Sequence, residues 1–168
     1  LSVTTLDRTL ARAMEPRAAT PAKRLETIKA LSEAGIPTMV MMAPIIPGLT
    51  DSEIERVLES ASTAGAREVG YVLLRLPLEV SPLFKEWLLR HYPNRYRHVL
   101  ALLRSMRDGK DYDAEWNKRM RGTGPYAFQI RRRFEMTARR LGLNETRTEL
   151  RCDRFTPPKG TGVQLALL

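Results

Sequence analysis

Pro44, Pro47, Gly48 and Asp51 punctuate the stretch MMAPIIPGLTDSE, residues 41–53, where an apolar run gives way abruptly to acids. Proline has no N–H for a ladder hydrogen bond, so it belongs at the end of a strand. Glycine admits another backbone, or a ligand, where a Cβ would clash. Thr50 or Asp51 suits a helix N-cap, with Glu53 in the first turn. The stretch reads as a strand feeding a helix through a tight loop. That loop is either an ordinary β–α turn or one whose backbone approaches a ligand. A second group is Arg131, Arg132, Arg133, Arg139 and Arg140, with Tyr126, Phe128 and Phe134 interleaved. Clustered guanidinium groups attract polyanions. The same pattern also describes a solvated helix face over an aromatic core stripe.

Metal and disulfide chemistry have little to work with. Cys152 is the single cysteine, and His91 and His98 are the two histidines. They make no closed zinc site without several carboxylates. A lone cysteine excludes an internal disulfide framework and fits a cytosolic protein. The chain has 168 residues, 43% of them apolar, enough for a domain with a real core. No apolar run approaches the ~18 residues of a membrane span, and no signal peptide is visible. Charge is unevenly placed. Residues 1–80 hold 9 Lys/Arg against 10 Asp/Glu, and residues 81–168 hold 19 against 9. A near-neutral half followed by a basic one suggests two jobs, or one job and a contact surface.

The elements that must position these residues follow from periodicity and punctuation. LSVTT, residues 1–5, is β-branched and extended. Residues 20–35 carry Leu25, Ile28, Leu31 and Ala34 at helical spacing, with Thr20 as cap, Pro21 at the first position and Gly35 at the end. The apolar run 36–46 predicts a strand covered on both faces. Residues 51–65 predict a helix burying Ile54, Val57, Leu58 and Ala61, and residues 68–77 a third strand. This β-α-β-α-β order implies parallel strands, in half a barrel or an open doubly wound sheet. In both, ligands sit at the C-terminal strand ends: Thr4-Thr5, Ile45 to Gly48, and Arg75 to Pro77. Helices are expected over 82–92, 94–109, 113–121 and 124–144, followed by an extended tail. The resulting division is 1–80 as the β/α unit, 81–145 as a helical basic region and 146–168 as the tail.

The spacing of Ile46, Gly48 and Asp51 in PIIPGLTD resembles the G-x-I-x-G-x-x-E motif of radical S-adenosylmethionine (SAM) enzymes, with Pro44 for the first glycine and Asp51 for the glutamate. The phrases SVTTLD, MEPRA, RLETI, AGIP and APIIPGLTD come in the order found in proteins described as DNA-repair-photolyase-like. These are radical SAM relatives of spore photoproduct lyase. FTPP followed by QLALL resembles the end of that family. The resemblance implies the C-terminal half of a partial (β/α)6 barrel, with LSVTT, 36–46 and 68–76 as its fourth to sixth strands. It also implies SAM and a [4Fe–4S] cluster in the intact protein. Ser2, Thr4 and Thr5 would touch the ribose or amino-acid end of SAM, and Ile46, Gly48 and Asp51 would line the adenine pocket. Arg17 would reach the SAM carboxylate, since a guanidinium fork pairs with both oxygens. Its alternative is a surface pair with Glu15, while Arg24 reads as a solvated helix residue.

The CxxxCxxC motif that holds such a cluster is absent from this sequence. LSVTT reads as a strand already under way, so the chain is expected to be a fragment, unable by itself to hold the cluster or cleave SAM. Intact, it would generate a 5′-deoxyadenosyl radical and abstract hydrogen from a substrate, a nucleic-acid lesion being the expectation that the family's name carries. The rival expectation is a non-enzymatic, basic nucleic-acid-binding module. The last residues, Gln164, Leu165, Leu167 and Leu168 of QLALL, either fold back into the core or act as a docking peptide. QLALL resembles the peptides by which bacterial replication and repair proteins dock on the DNA sliding clamp.

Overall fold

The structure, a computed structural model, describes residues 1–156 except Asn117, Arg147, Thr148 and Leu150. The clamp-peptide expectation at Gln164–Leu168 therefore lies outside the described residues. Two parallel strands, β1 (Met39–Ile45) and β2 (Glu68–Leu73), form the sheet. The first helix after Leu1, α1 (Arg8–Met14), has no counterpart in the sequence reading. Asp7 caps it by accepting from the N–H groups of Thr9 and Leu10. Helix α2 (Pro21–Glu33) starts as expected, with the Thr20 hydroxyl accepting from Lys23 N–H and Pro21 in the first turn. Gly35, at φ 74°, follows its end.

LSVTT is not a full strand. Met41 N–H donates to Leu1 O at 2.8 Å and Val3 N–H to Met41 O at 2.9 Å, giving a single parallel bridge between Ser2 and Met41. The ladder does not continue past this bridge, and the Thr4 hydroxyl donates to Ala43 O at 3.3 Å. The three-strand expectation thus becomes two strands and one bridged segment among the described residues. The architecture remains mixed α/β with a small parallel sheet and several helices, consistent with part of a barrel.

The strand expected over 36–46 with both faces covered is shorter and one-sided. Val40 and Met42 join the main core with Ile54, Val57, Leu58 and Ala61 of helix α3 (Ile54–Thr63). Met39 on the other face is 42% exposed. Gly70, opposite Met41, lets Met39 and Met41 fold across it. A Cβ there would lie 2.7 Å from Met41 Sδ.

Helices α4 (Val80–His91) and α5 (Tyr96–Ser105) carry a second core. Leu88, Val99, Leu100 and Leu103 close over Ile46, Leu74 and Leu76, which leave the C-terminal ends of the two strands. The Trp87 indole N–H ties this core to α1 through Ala13 O at 3.0 Å. Among the described residues of 113–121 no helix forms. Asp113 accepts from Glu115 N–H in a local turn, and Met120 O is taken by Leu73 N–H of β2 at 2.9 Å. Helix α6 (Gly124–Arg140) ends four residues before the expected boundary, and Gly142 at φ 66° follows its last turn. Its Phe134 ring lies 4.7 Å from Tyr71 of β2, so α6 shares the main core with the sheet. No helix among the described residues is long and apolar enough to cross a membrane.

Candidate functional site

The loop after β1 is held by its own residues. The Thr50 hydroxyl accepts from Ile46 N–H at 2.8 Å, and Leu49 and Thr50 return N–H bonds to Ile46 O. Arg95 donates to Gly48 O at 2.9 Å. Gly48 has φ 72°, and a Cβ there would lie 2.9 Å from His98 Cδ2 and 3.2 Å from Leu102 Cδ1. The close approach that this glycine permits is made by α5. Ile46 is fully buried in the second core. Asp51 is buried too, and its carboxylate accepts a hydrogen bond from the Tyr126 hydroxyl of α6.

That bond has a pH signature. Burial and the Asp51 carboxylate push the Tyr126 phenol from its ordinary 10.0 up to about 12. The folded state holds the neutral phenol, so above pH 10 the unfolded chain loses the proton first. The contribution is complete below pH 10 and lost as pH rises toward about 12. Melting temperatures of the native chain should therefore fall faster across that window than those of Tyr126→Phe. Parallel curves would show that Tyr126 does not carry the loss.

The polar segment beside the loop is also organised. Glu53 accepts from the Thr5 hydroxyl at 2.6 Å and from Leu6 N–H at 2.8 Å, pinning residues 5–6 to the start of α3. Thr4 and Thr5 are buried and Ser2 is exposed. Arg17 is exposed, with no ion-pair partner among the described residues. Glu15 pairs instead with Arg24 at 2.8 Å, and the Arg24 side chain is only 14% exposed. Arg24 also donates to Ser2 O and Ala19 O, each at 3.0 Å. The reading of Arg24 as a solvated residue and of Glu15 as a partner for Arg17 is corrected: Arg24 is the guanidinium that helix α2 aims at the bridged segment.

The five arginines of α6 do not form one free cluster. Arg133 makes a two-pronged pair with Glu55 of α3, at 2.8 and 2.7 Å. The guanidinium holds the Glu55 carboxyl below its usual range. Arg140 reaches Glu59 at 2.6 Å, and Arg131 pairs with Glu135 one turn on in its own helix. Arg132 and Arg139 are exposed, without an ion-pair partner among the described residues. Helical spacing explains the split: positions 133 and 140 lie on the flank facing α3, and 132 and 139 point to solvent.

No group of three metal-ligating side chains comes together among the described residues, and Cys152 is an exposed free thiol. A cubic iron–sulfur cluster held by three thiolates has no ligand set here.

Residues 1–61 match the family model of the Radical SAM superfamily. This radical SAM match takes in the bridged segment, α1, α2, β1, the loop to Asp51 and most of α3. Uncharacterized proteins of Mycobacterium bovis and of two strains of Mycobacterium tuberculosis are 37% identical to this chain over 98 residues. The aligned part is 55% of this chain and 29% of each relative, so the chain spans less than a third of the curated relatives it matches. No solved structure matches the chain. Within the radical SAM match, sequence reasoning missed Glu53 and the role of Arg24. Glu53 was visible only as a second acid at a helix start, and Arg24 only as one of several basic residues along α2. Tyr126 and His98, both outside the match, became partners of the loop only through the packing of α5 and α6.

Proposed function

We propose that this chain is part of a radical SAM enzyme of the DNA-repair-photolyase-like group. In complete form that enzyme cleaves SAM reductively and abstracts hydrogen from a substrate. The observation that carries the reading is the radical SAM match over residues 1–61, which contains the loop Pro44–Asp51 and the polar segment Ser2–Thr5. The finer grouping rests on the phrases MEPRA and APIIPGLTD in their order. The described residues do not fit the cluster, so this chain's own contribution is the scaffold around the end of β1. Arg24, Glu53 and Thr50 fix the backbone there, and Ser2 and Arg17, which the resemblance assigns to SAM, are both exposed. Nucleic acid as substrate or partner, and clamp docking through Gln164–Leu168, belong to the same proposal. Their support is the basic second half and the resemblance of QLALL.

The test is made on the complete protein encoded around this chain. A CxxxCxxC motif ahead of Leu1, iron–sulfur absorbance after anaerobic reconstitution, and reductant-dependent release of 5′-deoxyadenosine from SAM are the expected results. A complete sequence without the cysteine motif, or a reconstituted protein that leaves SAM intact, would overturn the proposal.

A further inference from the structure

We propose that the hollow at the N-terminal end of α6 binds the phosphate group of a nucleotide. The helix begins at Gly124, with Pro125 in its first turn and Thr123 before it in extended backbone. No side chain caps this end. Helix α2 has the Thr20 hydroxyl on a first-turn N–H, whereas α3, α4 and α5 share the uncapped start of α6, so the case for this end rests on what surrounds it. A 17-residue helix left uncapped presents N–H donors and the positive end of its dipole to whatever fills the space ahead of it. Gly122 and Gly124, at φ 65° and 83°, bring the backbone round this corner without side chains in the way.

A separate element supplies the second observation. Tyr71 of β2 is 2% exposed and lines the same hollow, yet its hydroxyl has no hydrogen-bond partner. A buried phenol usually finds one. The Arg121 guanidinium lies over the Tyr71 ring at 3.9 Å from its centroid, and Arg121 is exposed. Arg131 forms part of the opposite wall, paired with Glu135. Two guanidinium groups and a helix N-terminus thus face one carboxylate, a surplus of positive charge suited to an oxyanion. Donors of three kinds converge: backbone N–H, guanidinium and phenol. An anion held by Arg121 would offer the Tyr71 hydroxyl the acceptor that it lacks.

The space exceeds what phosphate alone needs. The hollow measures about 400 Å³, and Phe128, 59% exposed, stands on its wall. An aromatic face beside a phosphate site offers a base a stacking surface. This inference does not rest on the radical SAM reading, since Tyr71, Arg121, Phe128 and the start of α6 all lie beyond residues 1–61.

The test is calorimetric titration of the 168-residue chain with adenosine 5′-monophosphate, adenosine, inorganic phosphate and a short single-stranded oligothymidylate. The nucleotide should bind and adenosine should bind at least about tenfold more weakly, the phosphate contacts being charge-assisted. Arg121→Gln should weaken nucleotide binding by about tenfold, in a chain that still melts cooperatively with only the small shift expected for the lost ring contact. Tyr71→Phe should weaken it by a smaller factor. Tighter binding of the oligonucleotide than of the mononucleotide assigns the site to a strand, and the reverse order assigns it to a free nucleotide. No heat with any phosphate-bearing probe at millimolar concentration overturns the proposal, as does affinity unmoved by Arg121→Gln.

Discussion

Gly48→Val is expected to destabilise the chain by about 2 to 5 kcal/mol. The left-handed backbone at φ 72° costs an L side chain about 1–2 kcal/mol. Overpacking against a formed neighbour adds about 1–3 kcal/mol. That neighbour is helix α5, since a Cβ at position 48 lies 2.9 Å from His98 and 3.2 Å from Leu102. Both atoms are side-chain atoms, so Gly48→Ala should cost less than Gly48→Val. Thermal melts of the two variants make the comparison. Melting within a degree of the native chain for Gly48→Val would show that α5 yields without cost. Adding His98→Ala to Gly48→Val removes the nearer contact but leaves Leu102 and the left-handed backbone, so it should recover only part of the lost stability.

Glu53→Ala should detach the bridged segment from the loop, at about 3 kcal/mol. Hydrogen bonds to a charged group contribute about 1.5–3 kcal/mol each, and neighbouring bonds do not add fully. Glu53 accepts two, from the Thr5 hydroxyl and Leu6 N–H. Glu53→Gln keeps the shape and one good acceptor, and should cost less than Glu53→Ala. Local exposure distinguishes this from a general loss of stability. Hydrogen exchange at Leu6, and at Val3 in the bridge to Met41, should quicken more than exchange in α6. Uniform acceleration across both regions would remove Glu53 as the specific pin of residues 5–6.

Punctuation made several elements legible from the residues alone. Thr20 and Pro21 start α2 and Gly35 ends it because capping and φ are properties of the local chain. The face of α3 bearing Ile54, Val57, Leu58 and Ala61 was readable because apolar spacing of three and four places residues on one side of a helix. The stop after β1 was written in Pro44, Pro47 and Gly48, and the family match falls on the residues where that loop resembles the radical SAM motif.

Partner choice was not legible. Five arginines in α6 are equal in sequence, and only the approach of α3 turns Arg133 and Arg140 toward Glu55 and Glu59. Between Arg17 and Arg24, the turn after α1 decided which one meets Glu15 and Ser2. The 113–121 segment has helix-forming residues, yet a β2 N–H takes Met120 O and Asp113 bonds its own neighbour. Local propensity is worth tenths of a kcal/mol per residue, and one buried backbone bond outweighs it. The sequence by itself determined the bounds of α2, the buried face of α3, the stop after β1 and the charge. The tertiary structure decided which charges stay free, which face of β1 lies open and which uncapped helix meets an unpartnered tyrosine. Those depend on contacts between residues tens of positions apart, and no local rule of the chain encodes them.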